Sequence, residues 1–177
     1  MDTSFNLDPV IRKIPDFPKK GILFYDITSI LMDPKAFGYC VSQMVSRYRS
    51  AGLDAIAAIE ARGFLFGAPL ALELGLPLQL VRKQGKLPGQ TVSLTYELEY
   101  GSDTVEMHQQ DLRRGQRVLI VDDLIATGGT VRATADLIER AGSSVHEVFS
   151  VIGLPFLGYV ARLAPVPVHT LLTYDSE

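Results

Sequence analysis

Two adjacent carboxylates, Asp122 and Asp123, stand just ahead of the small-residue run Ala126-Thr127-Gly128-Gly129-Thr130. The run suits a phosphate. Glycines let backbone N–H groups approach an anion closely, and the two threonine hydroxyls add donors. The carboxylates would repel phosphate and suit the hydroxyls of a sugar, which donate to them, or a hydrated Mg²⁺ ion. Acids and loop together fit a ribose phosphate, with the ribose on the acids and the 5′-phosphate in the loop.

The elements needed to hold this arrangement are written on either side of it. Val118-Leu119-Ile120-Val121 is apolar and mostly β-branched, the pattern of a strand buried on both faces, and the acids are expected to stop it. Residues 131–140 have helical spacing, with Val131, Thr134, Ala135 and Ile138 on one stripe. Strand, small loop and helix start form an anion cradle, because N–H groups and the positive end of the helix dipole meet there. A side chain added at Gly128 is expected to enter the phosphate space.

This stretch resembles the phosphoribosyl pyrophosphate (PRPP) signature of the type I phosphoribosyltransferases. Its ending, Leu124-Ile125-Ala126-Thr127-Gly128-Gly129-Thr130, is most like the adenine phosphoribosyltransferase version. The resemblance runs from about Ile11 to Tyr174. Pro15-Asp16-Phe17-Pro18, Gly21-Ile22-Leu23-Phe24 and Asp26-Ile27-Thr28 are similar to the family's hood segment. There an aromatic ring stacks on the purine and flanking backbone reads its edge, which implies Phe24 for stacking and Leu23 and Tyr25 for backbone contacts. Arginine is common in the family where Tyr25 stands. Glu60-Ala61-Arg62-Gly63 matches the pyrophosphate loop, with Arg62 as a fork donor. Arg82, Lys83 and Lys86, set among Gly85, Pro88 and Gly89, read as a mobile, phosphate-closing lid. The resemblance implies pyrophosphate binding for all three cations. Glu97-Leu98-Glu99-Tyr100-Gly101 resembles the motif beneath the purine and makes Glu99 the candidate acid/base.

The implied reaction is adenine plus PRPP to AMP plus pyrophosphate, a purine-salvage step. Mg²⁺ is the implied cofactor, bound mainly through PRPP or pyrophosphate with no direct protein ligand, and the implied assembly is a homodimer. A phosphoribosyltransferase for another base, or a non-catalytic PRPP-binding regulator, remains open. Against the regulator, no separate helix-turn-helix domain is evident.

The whole chain sets bounds on these readings. Its 177 residues suit a single domain (1–177), with the hood at about 1–35 and a flexible catalytic loop at about 82–104. The net charge of −3 does not favour nucleic acid. No apolar run approaches the ~18 residues of a membrane span, and the N-terminus does not read as a secretory signal. The single cysteine, Cys40, lies on an apolar helical stripe and suggests a reducing compartment, the cytoplasm. His108, His146 and His169 have no metal-ligand spacing. Buried strands are expected at 55–59, 77–81, 145–154 and 165–174, alternating with helices at 34–51 and 64–74, and residues 7–14 could form a short helix. Such alternation predicts an α/β fold with a mainly parallel central sheet flanked by helices, as in the type I phosphoribosyltransferase-like fold, with ligand loops at the C-terminal strand ends.

Overall fold

The computed structural model describes residues 5–97, 101–111 and 113–176. An antiparallel pair, β1 (Arg12–Pro15) and β2 (Leu23–Asp26), stands apart from the main sheet as a small N-terminal unit. Instead of a helix over 7–14, a single 3₁₀ turn at Asp8–Val10 leads into β1. Lys13 and Ile14 pair with Tyr25 and Phe24, so strand pairing decides the conformation of a segment too short to hold a helix alone.

After α1 (Thr28–Met32) comes α2 (Pro34–Tyr48). The Asp33 carboxylate accepts from the N–H groups of Lys35 (2.9 Å) and Ala36 (3.3 Å), and Pro34 takes the first helical turn, as the sequence suggests. Then follow β3 (Ala55–Ile59), α3 (Gly63–Leu74), β4 (Leu78–Lys83), β5 (Thr91–Glu97), β6 (Ser102–His108), β7 (Arg117–Ile125), α4 (Gly129–Arg140), β8 (Ser144–Gly153), α5 (Tyr159–Leu163) and β9 (Val168–Thr173). Among the described residues the main sheet has seven strands in the order β5-β6-β4-β3-β7-β8-β9. The run β4-β3-β7-β8-β9 is parallel, and the β5–β6 hairpin joins β4 antiparallel.

Alternation along the strands divides the core in two. Leu119, Val121, Phe149 and Val151 pack against α1, α2 and α3, whereas Val118, Ile120 and Val148 face α4 and α5. The stripe Val131, Thr134, Ala135 and Ile138 is buried, and Cys40, Met44 and Tyr48 are buried on α2. The acids do not stop β7. It continues to Ile125 because β8 extends alongside it, pairing Asp122 with Ser150 and Ile125 with Gly153. The described residues of 82–104 are the end of β4, a turn and most of the β5–β6 hairpin, the strands that the alternation over 91–100 and 104–108 suggests. Among the described residues no helix is long and apolar enough to cross a membrane.

Candidate active site

Because β3 and β7 are parallel neighbours, with Ala55 to Ala58 opposite Val118 to Val121, the segments that follow them emerge side by side. The β3 segment carries Glu60 and Arg62 into α3, and the β7 segment carries the glycine–threonine loop into α4. Gly63 makes the approach possible. A Cβ there would lie 2.7 Å from the Val121 carbonyl oxygen and 3.1 Å from the Asp122 Cα.

Asp122 and Asp123 are successive residues near the end of β7, and their carboxyls lie close enough to interact with each other and with Arg62. Asp122 lines a cavity of about 220 Å³ together with Arg62, Ala126, Thr127, Gly128, Gly129 and Thr130. Asp123 is buried, and its Oδ2 lies 2.9 Å from Arg62 Nε, an ion-pair distance without hydrogen-bond alignment. Burial and the neighbouring Asp123 carboxylate push the Asp122 carboxyl well above the usual carboxylate range. Burial also raises Asp123, and the Arg62 guanidinium pulls it part of the way back.

At the start of α4, Gly128 has φ +78°, a left-handed conformation that favours glycine. Its Cβ direction corrects the sequence expectation. An added methyl would meet Tyr159 Cβ at 3.0 Å and Leu163 Cγ at 3.4 Å, in α5 and not in the phosphate space. A Cβ on Gly129 would instead meet Arg162 Nη1 at 3.2 Å and the Tyr96 ring at 3.3 Å.

The basic cluster read as one lid is divided by the structure. Arg82 and Lys83 close β4. The Arg82 guanidinium donates to Glu60 through Nε (3.2 Å) and Nη2 (3.0 Å), and to the Lys86 carbonyl (2.9 Å). Arg82 holds the Glu60 carboxyl below its usual range. Lys83 donates to Tyr96 Oη at 3.2 Å and forms an ion pair with Asp103. Lys86 is exposed, and its N–H and that of Leu87 donate to the buried Glu106 carboxylate, each at 2.9 Å. The turn is therefore anchored by its backbone.

On β2, Phe24 and Tyr25 point to opposite faces. Phe24 lies edge-on to Phe17 (5.1 Å between centroids), and the Arg62 guanidinium sits 5.9 Å from its ring centre. Tyr25 is buried and stacks on Tyr174 at 4.2 Å. The Arg62 contact thus sets Phe24 beside the cavity-lining arginine and leaves the Tyr25 ring in the core. Leu23 and Tyr25, alternate residues of one strand, direct their backbone polar groups the same way. Glu99 lies outside the described residues.

Sequence reasoning missed Glu60, Glu106 and Tyr96. Glu60 sits in the same short motif as Arg62, and that proximity was the available signal. Glu106 and Tyr96 lie in ordinary alternating strands, where nothing local marks them. Among the described residues no three His, Cys, Asp or Glu side chains gather as a metal cage. Mg²⁺ commonly binds through one or two carboxylates plus substrate phosphates, and Asp122 beside the glycine–threonine loop fits that mode.

Residues 40–168 match the family model described as a phosphoribosyl transferase domain. The adenine phosphoribosyltransferase of Treponema denticola is 55% identical over 171 residues, covering 97% of this chain and 90% of that protein. The crystal structure of adenine phosphoribosyltransferase from Thermoanaerobacter pseudethanolicus superposes with a TM-score of 0.91 at 49% identity, covering 95% of this chain and 98% of that one. The Saccharomyces cerevisiae enzyme, solved with an imino-altritol bisphosphate and adenine, gives a TM-score of 0.88 at 40% identity, with 94% and 96% covered. With these similarities spanning the hood, the acid pair and the loop alike, the chain belongs to the adenine phosphoribosyltransferase family.

Proposed function

We propose that this chain transfers the phosphoribosyl group of PRPP to N9 of adenine, giving AMP and pyrophosphate. One observation carries the reading: Asp122, the glycine–threonine loop at the start of α4 and Arg62 line one small cavity, and Arg62 also reaches the Phe24 ring. In the reaction the bond from the anomeric carbon to pyrophosphate breaks with its electron pair on the leaving oxygen. The bond to N9 forms, and the purine gives up a proton. Thr127 to Thr130 anchor the 5′-phosphate, and this remote binding aligns the anomeric carbon. Asp122 and Asp123 accept from the ribose hydroxyls and favour the positive charge that builds on the ring. Arg62 and Lys86 hold the pyrophosphate, and Arg82 shapes that loop by pinning Glu60. Phe24 stacks on adenine while the backbone of Leu23 and Tyr25 reads its edge. We assign the purine proton, near N7, to Glu99.

When bound, Mg²⁺ would supply charge neutralisation to the pyrophosphate, held mainly through PRPP or pyrophosphate itself. The buried Cys40 thiol, which burial pushes up to about 12, is inert and fits the cytoplasm. A homodimer fits the exposure of Met32 and Leu72, 81% and 83%, which a second copy would cover. Labelled adenine tests the function directly. AMP should form only with PRPP present, and hypoxanthine should be a poor substitute. PRPP binding without transfer to any base would overturn the reading.

A further inference from the structure

Among the described residues, the Tyr96 side chain links the basic end of β4 to the phosphate loop. Its hydroxyl lies 2.8 Å from Thr130 Oγ1, 3.2 Å from Lys83 Nζ and 3.2 Å from Asp103 Oδ2. Its ring lies where a Cβ on Gly129 would be 3.3 Å away. The phenol has one hydrogen to give and lone pairs to receive. Lys83 has only hydrogens to give, so at that contact Tyr96 accepts. The Tyr96 hydrogen can go to Asp103 or to Thr130. Asp103 already receives the Lys83 ammonium and, at 2.8 Å, the Thr104 N–H, and the Thr130 contact is the shorter. A phosphate oxygen in the loop only accepts. It is met best when Thr130 receives from Tyr96 and turns its own hydrogen toward the loop.

We propose that Lys83 and Tyr96 are positioning residues for the 5′-phosphate: a donor chain from the Lys83 ammonium through the Tyr96 hydroxyl fixes Thr130 as a donor to that phosphate. The inference rests on the reading of the loop as a 5′-phosphate site. It assigns the Lys83 charge to the 5′-phosphate end and away from pyrophosphate. A cation at the head of such a chain polarises each bond in turn, which strengthens the last one.

Calorimetric titration of the parent, Tyr96→Phe and Lys83→Met proteins with AMP, ribose 5-phosphate and pyrophosphate separates the ends. Both variants should bind AMP and ribose 5-phosphate more weakly by on the order of 5- to 30-fold, with pyrophosphate affinity within about 2-fold. In Tyr96→Phe the KM for PRPP should rise with kcat little changed. Tyr96→Phe combined with Thr130→Val should bind AMP no worse than Thr130→Val alone. A larger loss for pyrophosphate than for AMP in Lys83→Met, or unchanged AMP affinity in Tyr96→Phe, would overturn the proposal. A parent protein that binds neither AMP nor ribose 5-phosphate would overturn the loop assignment itself.

Discussion

Arg62 Nε lies 2.9 Å from Asp123 Oδ2 without the alignment of a hydrogen bond. The acid is almost fully enclosed, whereas the arginine side chain is 41% exposed. A ligand can exchange such a contact: a ribose hydroxyl offers Asp123 an aligned donor, and pyrophosphate oxygens match the guanidinium fork. Arg62→Ala should lower kcat/KM for PRPP by on the order of 10²- to 10³-fold. It should also change the pH dependence of stability. Burial raises the Asp123 carboxyl and Arg62 opposes that rise. Without Arg62 the folded-state pKa climbs further. A raised acid contributes stability that is fully present below its unfolded pKa and is lost as pH rises through its folded pKa. The variant should therefore lose stability relative to the parent as pH rises above the usual carboxylate range, which thermal melts at several pH values will show.

Asp122 predicts a trade between stability and activity. Its carboxyl is raised by burial and by the Asp123 charge, so its ionised form strains the fold at neutral pH. Asp122→Asn should raise the melting temperature at pH 7, with the gain shrinking toward acid pH, where the parent acid is protonated. The same change should cut kcat/KM by on the order of 10- to 150-fold, the worth of one charge-assisted hydrogen bond. A drop in melting temperature at pH 7 would refute the account.

Gly63 is expected to be intolerant for steric reasons. A methyl group 2.7 Å from the Val121 carbonyl oxygen meets backbone, which cannot swing away. Gly63→Ala should part α3 from β7, cost about 1–3 kcal/mol in denaturant unfolding and weaken PRPP binding through displacement of Arg62. Gly75→Ala is the control. It carries left-handed strain at φ +66° but has open space for its Cβ, so it should reduce stability while leaving PRPP binding unchanged.

What the sequence disclosed and what it concealed divide along sequence distance. The strand–loop–helix from Val118 to Arg140, the Asp33 cap and the Ala55–Ile59 strand are local patterns, and propensity, periodicity and capping chemistry decide them. The extension of β7 through its acids depends on β8 running alongside, which no local pattern states. The split of Arg82, Lys83 and Lys86 among Glu60, Asp103 and solvent depends on partners brought in by sheet pairing. Tyr96 meets Thr130 because the β5–β6 hairpin packs beside α4, a contact between residues 34 apart in the chain. The direction of a Cβ at Gly128 depends on α5, further along still.

The adenine edge gives the last prediction. Adenine offers a donor at its 6-amino group and an acceptor at N1, and a 6-oxopurine offers the reverse. An edge built from the Leu23 carbonyl and the Tyr25 N–H cannot exchange roles by rotating a side chain. A 6-oxopurine would face acceptor with acceptor and donor with donor, at about 1–3 kcal/mol for each group left unpaired. Two mismatches give on the order of 10²- to 10⁴-fold discrimination in kcat/KM. Phe24 offers its face to any purine, so Phe24→Leu should weaken adenine and hypoxanthine alike, by roughly 10-fold. The Tyr25 ring is spent elsewhere, stacked on Tyr174 in the core. Tyr25→Phe keeps that ring and should keep selectivity. Tyr25→Ala should destabilise the fold by about 3–5 kcal/mol through the cavity it leaves. Competition between adenine and hypoxanthine for limiting PRPP measures the ratio. Comparable efficiencies, or a Tyr25→Phe protein that accepts hypoxanthine, would show that side chains and not the backbone choose the base.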